Sequence, residues 1–185
     1  TNCSNNYGAY QFPEKLIPLI LTNILAGRSL PIYGDGMNVR DWLHVSDHCR
    51  GIEMAILKGE VGETYCIGGR NEAPNLEIVH ELCRQVGERF EKDPQLKKRF
   101  PECPSARGED NSSLITYVTD RPGHDRRYAI DPTKASKEIG YEPLMTFVSG
   151  MSETVDWYLD NQSWWEQVMD GSYRTWIETN YQDRS

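Results

Sequence analysis

Four blocks of the chain gather side chains suited to holding a polar, anionic ligand. Asn5, Asn6, Gln11 and Lys15 place amides and a cation within the first fifteen positions. Arg40 stands in Val39-Arg40-Asp41-Trp42-Leu43-His44-Val45 and suits a diphosphate, because a planar guanidinium gives paired, charge-assisted hydrogen bonds and is never deprotonated. The third block, Tyr65-Cys66-Ile67-Gly68-Gly69, continues to Asn71 and Asn75 at the start of a helical pattern. In the fourth, Asp120-Arg121-Pro122-Gly123-His124-Asp125, Arg121 and His124 flank a Pro-Gly turn that can wrap two donors around a ligand.

Each block also has a plainer reading. The first is a helix-capping loop with Lys15 solvated, and Arg40 with Asp41 is a surface ion pair of little worth. Asn75 is a helix N-cap, and residues 120–125 are a charged loop. Gly34-Asp35-Gly36 lacks the third glycine of a dinucleotide fingerprint and sits between two short strands, so it reads as a turn.

The elements that must position these residues follow from periodicity. Leu16, Ile17, Leu19, Ile20, Ile24 and Leu25 recur at helical spacing, predicting a helix over 13–26 with Gly27 as its stop and a distortion at Pro18. Strands are expected over 30–33 and 39–45. A helix capped by Ser46 or Asp47 then ends near Gly59, and a strand covers 63–67. Leu76, Val79, Leu82, Cys83 and Val86 mark the inner face of a helix over 75–90. Residues 91–113 are charged, carry three prolines and lose periodicity, and read as a mobile surface excursion. Strands over 114–118 and 128–130 follow, with helices over 132–139, 147–161 and 163–170. Strands separated by helices make this an α/β chain of the satellite, substrate-domain kind.

Composition bounds the function. The 185 residues are 38% hydrophobic with a formal charge of −8, which argues for a globular protein and against general nucleic-acid binding. The longest apolar run, 16–21, is far short of a membrane span, and no signal peptide is visible, so a cytoplasmic setting is expected. Five scattered cysteines form no CxxC pair, so neither a disulfide framework nor a metal site is expected. The chain enters a dense motif from Thr1, as the middle of a longer protein does.

Ser4-Asn5-Asn6-Tyr7-Gly8 with Gln11-Phe12-Pro13-Glu14-Lys15-Leu16-Ile17-Pro18 resembles the dTDP-glucose 4,6-dehydratase family of extended short-chain dehydrogenases, and the other three blocks follow in family order. The resemblance implies an α/β fold, the C-terminal portion of an extended Rossmann-type dehydrogenase. That portion is mainly the small substrate-binding domain with a few strands and helices of the main domain. It implies that Asn6 contacts NAD, while Asn5, Lys15, Leu16, Ile17, Pro18, Leu19 and Ile20 line the nucleotide-diphosphate site. Pro31, Ile32 and Tyr33 would pack along the nucleobase, Arg40 would bind phosphate, and Asn75 would stand in the substrate site. Asp120, Arg121, Pro122, Gly123 and His124 would complete the nucleotide-sugar site. Ala9 and Cys66 replace the commoner Pro and Asn. Trp164-Trp165 and Asp170-Gly171-Ser172-Tyr173 resemble the family ending, with the tryptophans read as a structural anchor.

In that family NAD takes a hydride from sugar C4, water leaves across C5 and C6, and the hydride returns to C6, a step toward deoxysugars. The family uses a Tyr-x-x-x-Lys pair, a Thr and an Asp-Glu pair. None is assignable here, so no catalytic residue is expected in this chain and NAD is expected to be held mainly by an N-terminal half outside it. The alternatives are a non-catalytic nucleotide-sugar-binding module, or a related UDP-sugar epimerase or decarboxylase. A homodimeric parent and a self-associating fragment are further expectations.

Overall fold

The chain, described by a computed structural model over residues 1–120, 122–169 and 171, alternates short strands with helices. Strands β1 (Asn2–Cys3) and β2 (Asn5–Tyr7) lead to α1 (Leu16–Leu25), β3 (Leu30–Tyr33), β4 (Val39–His44) and α2 (Val45–Lys58). β5 (Cys66–Ile67) and β6 (Glu72–Pro74) precede α3 (Asn75–Lys92) and α4 (Pro94–Arg99). β7 (Ile115–Val118), β8 (Arg127–Tyr128), α5 (Thr133–Ile139), α6 (Phe147–Asp160) and α7 (Gln162–Met169) complete the order.

β4 is the hub. Its second half pairs in parallel with β2, Asn5 opposite Trp42, while its first half lies between antiparallel β6 and parallel β8. Parallel pairs β1 with β5 and β3 with β7 flank it. Because side chains alternate along a strand, Trp42 enters a core shared with Tyr7, α1, α3 and α6. Leu43 enters a second core with Tyr65, Ile67, Ala135, Ile139 and Tyr141.

Helix α1 begins at Leu16, later than its periodicity predicts, and Pro18 does not distort it. The first intrahelical bond is Leu19 N–H to the Lys15 carbonyl at 2.9 Å, so the proline falls among first-turn positions whose amides have no helical partner. At the other end, Gly27 at φ 62° donates to Ile24 and Arg28 donates to Asn23, the two bonds of a Schellman stop.

Two expected caps are corrected. His44, not Ser46 or Asp47, precedes α2, and the Asp47 carboxylate instead accepts the Leu144 and Met145 amides, fastening the chain ahead of α6. Pro74 precedes α3, and Asn75 is its first helical residue. The strand expected over 63–67 is confined to Cys66–Ile67, and β1, β2 and β6 were not anticipated.

The 91–113 excursion is also corrected. α3 runs on to Lys92, the Asp93 side chain caps α4 through the Gln95 amide, and Leu96, Phe100 and Cys103 turn into the main core. A 3-10 turn, Pro104–Arg107, and another, Asn111–Leu114, close the segment. Buried Asn111 holds it: its amide donates to the Cys83 carbonyl at 2.9 Å and its oxygen accepts the Ser105 hydroxyl at 2.9 Å. Asn111→Ala leaves those partners unpaired and is expected to cost about 2 kcal/mol, lowering the melting temperature by roughly 4–8 °C in a thermal scan.

α7 docks through Trp165, whose indole N–H donates to the Tyr158 carbonyl at 2.9 Å. No described helix is long and apolar enough to cross a membrane.

Candidate functional site

β4 places Arg40 and Asp41 on opposite faces, which removes the ion pair that their adjacency invites. Asp41 is buried and accepts from the Ser4 hydroxyl, the Gly69 amide at 2.9 Å and the Asn71 amide at 2.8 Å. It needs no cation.

Arg40 is in the opposite position. It is 8% exposed, and its guanidinium donates to two backbone carbonyls, Val39 at 2.7 Å and Asp125 at 2.9 Å. No carboxylate among the described residues pairs with it. A buried full charge met only by neutral dipoles is under-compensated and favours an anion.

Around this cation the fold collects several expected site residues. Asn75 donates its backbone N–H to the Asn38 carbonyl at 3.0 Å, and its buried Oδ1 has no hydrogen-bond partner. Tyr33, at the end of β3, is half exposed and meets the His124 ring edge-on with centroids 6.3 Å apart. His124 Nδ1 lies 2.7 Å from Asp120, and Asp120 packs over Gly34. Pro122 and Gly123 are exposed at the tip of this loop. Arg121 lies outside the described residues.

The loop is tied down at its far end. Arg126 grips Asp35 with two bonds of 2.7 and 3.0 Å, and its carbonyl accepts the Val39 amide. The Arg126 bonds and then the Met37 amide pull the Asp35 carboxyl down to about 2, so this pair stays charged until strongly acid pH. Arg127 grips Glu72 the same way.

The first block stands apart from this network. Asn5 is half-buried on β2 opposite Trp42, with no side-chain hydrogen bond among the described residues. Asn6 is engaged inside the chain: its amide donates to the Ser4 carbonyl at 3.0 Å and its oxygen meets His48 Nδ1 at 2.9 Å. Burial lowers the His48 pKa, favouring a neutral ring whose Nδ1–H donates to that oxygen. Lys15 is exposed beside Glu14 at 3.5 Å. Ile17, Pro18 and Ile20 are buried as whole residues, so in this chain they leave a ligand almost no surface to touch. Leu16 is half-buried, and Leu19 lines a small apolar cleft of about 220 Å³ with Phe12 and Met169. Pro31 is half-buried, and Ile32 is a core residue.

Larger grooves lie elsewhere: one of about 620 Å³ beside Arg70, Arg127 and Asp131, and one of about 420 Å³ between α3 and the 93–111 segment. Neither is lined by Arg40, Asn75 or Tyr33. An unpaired buried cation, with the unpartnered Asn75 Oδ1 near it in the fold, marks the candidate site. Sequence reasoning missed Asn38 and the Asp125 carbonyl, whose role is set by backbone geometry. Among the described residues no group of His, Cys, Asp and Glu is placed to hold a metal ion.

A family model described as GDP-mannose 4,6 dehydratase matches residues 1–154. The chain belongs to that family. Among the relatives of this GDP-mannose 4,6 dehydratase family member, the dTDP-glucose 4,6-dehydratase of Salmonella typhimurium is 52% identical over 184 residues, 100% of this chain and 47% of that protein. A crystal structure of dTDP-glucose 4,6-dehydratase from Bacillus anthracis in complex with NAD is 48% identical, with TM-score 0.74 over 90% of this chain and 46% of that one. DesIV, a dTDP-glucose 4,6-dehydratase from Streptomyces venezuelae with NAD and TYD bound, is 44% identical, with TM-score 0.75 over 90% of this chain and 45% of that one. The chain spans about half the length of the curated relatives it matches. Its α/β fold is the Rossmann-type fold of those dehydratases over that span.

Proposed function

We propose that this chain is the nucleotide-sugar-binding part of a dTDP-glucose 4,6-dehydratase, inactive without the remainder of that enzyme. The observation that carries the reading is the buried Arg40 guanidinium, which has carbonyl partners and no counterion among the described residues. A diphosphate supplies the missing charge, and the planar fork grips its oxygens in pairs. The half-exposed Tyr33 ring offers the nucleobase a face, and the unpartnered Asn75 Oδ1 accepts from a hydroxyl or N–H of the ligand. His124 stands beside Tyr33 and Asp120 beside His124, and the order of the blocks along the chain is what adds Asn5, Lys15 and Arg121 to the proposed site. The high identity to proteins named for this activity supports the choice of dTDP-glucose over other nucleotide sugars.

NAD, when bound, supplies the hydride acceptor and donor of that reaction. The residues present do not build a site for it: no glycine-rich phosphate loop opens a helix, and the Asn6 amide is already spent on Ser4 and Cys3. The cofactor is therefore held mainly by residues beyond this chain. This chain's own share is to bind and orient the sugar nucleotide. A homodimeric, cytoplasmic enzyme belongs to the same proposal.

Calorimetry tests the reading. The whole protein carrying this sequence is expected to bind dTDP more tightly than UDP or GDP, and the 185-residue chain alone is expected to show no turnover of dTDP-glucose with added NAD. Turnover by the chain alone, or a preference for UDP or GDP, overturns it.

A further inference from the structure

We propose that Asn38 is a positioning residue that sets the Arg40 guanidinium in place for a diphosphate, through the backbone carbonyl of Asp125 that the two side chains share. The inference rests on the reading of Arg40 as the phosphate-binding cation. Asn38 is 2% exposed, in the short link between the Gly34-Asp35-Gly36 turn and β4. Its Nδ2 donates to the Asp125 carbonyl at 3.2 Å, and Arg40 Nη2 donates to the same oxygen at 2.9 Å. A carbonyl has two lone pairs, and these two donors fill them.

The backbone of Asn38 acts in the same place. Its carbonyl accepts the Asn75 N–H at 3.0 Å, so one residue joins the turn after β3, the start of α3 and the loop bearing His124. The other side of the amide strengthens the case. Asn38 Oδ1 is buried and has no hydrogen-bond partner. An apolar side chain of similar size would fill the space without stranding an acceptor, so the feature this position retains is the N–H₂ group and what it holds. With Asn38 removed, the Asp125 carbonyl keeps one partner, and Arg40, on a long flexible stem, loses the second fix on the dipole that aims it.

The test is a double-mutant cycle read by calorimetry on the whole protein, with dTDP as the probe and thymidine as its phosphate-free control. Asn38→Ala is expected to weaken dTDP binding roughly tenfold, to leave thymidine binding unchanged, and to have no further effect on dTDP once Arg40→Ala is present. A purely structural role would weaken both ligands and would add to the Arg40 substitution. Should Asn38→Ala not fold, Asn38→Leu decides: it keeps the volume, adds no charge beside Arg40 and leaves the Asp125 carbonyl without its second donor, and it too is expected to weaken dTDP selectively. Wild-type affinity for dTDP in the variant that folds, or equal losses for dTDP and thymidine, or additivity with Arg40→Ala, overturns the proposal while wild-type dTDP binding keeps the site reading intact. Absence of dTDP binding by the wild type overturns both.

Discussion

Arg40→Ala is expected to weaken dTDP binding by more than about 100-fold, close to 3 kcal/mol, in the whole protein carrying this sequence. Removing one member of a buried, hydrogen-bonded charge pair costs on the order of 2–5 kcal/mol, and each 1.4 kcal/mol is about tenfold. The position qualifies because Arg40 is buried and has no competing carboxylate among the described residues, so a bound phosphate meets a cation that is already stripped of water. Arg40→Lys keeps the charge but not the fork and is expected to lose roughly tenfold. Arg40→Met keeps the stem's packing and separates lost charge from a loosened loop. Titration of dTDP against these variants decides the matter: affinity within about threefold of wild type in Arg40→Ala would mean the anion binds elsewhere.

Asp41→Ala is expected to be the most damaging single change to stability considered for β4. It removes the acceptor for the Ser4 hydroxyl and for the Gly69 and Asn71 amides, all gathered on a carboxylate that is itself buried. At about 1–3 kcal/mol for each stranded group, a total near 4 kcal/mol is reasonable. For a chain of this size that lowers the melting temperature by about 8–16 °C. Asp41→Asn retains one acceptor oxygen and is expected to fall between. Thermal unfolding followed by circular dichroism reads both, and an unchanged transition in Asp41→Ala would show that the three donors find other partners. The two predictions separate cleanly, since Arg40 bears on ligand and Asp41 on fold.

The sequence makes the long elements visible and hides the short ones. α3 declares itself because Leu76, Val79, Leu82, Cys83 and Val86 repeat at helical spacing and all pack inward. β1 and β2 span two and three residues and exist only because β5 and β4 lie beside them, so no local pattern announces them. The 93–111 segment misled for another reason. Lys97, Lys98 and Arg99 dominate its composition, while the packing is carried by Leu96, Phe100 and Cys103, three residues at helical intervals diluted by charge. At the site, Arg40, Tyr33, Asn75 and His124 were legible from residue type and family order. Asn38 and Asp125 were not, since the Asn38 amide finds its partner only across 87 positions of chain and that partner is a backbone carbonyl, which carries no sequence signal.

The facing of β4 has a consequence for insertions and deletions. Arg40 and Asp41 are neighbours with opposite charge and opposite destinations, one turned toward the candidate site and one toward the Ser4–Gly69–Asn71 cradle. Deleting one residue just ahead of them would carry Asp41 to the slot of Arg40 and Trp42 to the slot of Asp41, while inserting one would carry Arg40 to the slot of Asp41 and Val39 to the slot of Arg40, because a one-residue slip turns every side chain of a strand to the other side. The deletion would set a carboxylate in the candidate site, and the insertion would set a guanidinium against three hydrogen-bond donors. Either slip spoils both places at once, and length changes near β4 should be far less tolerated than substitutions.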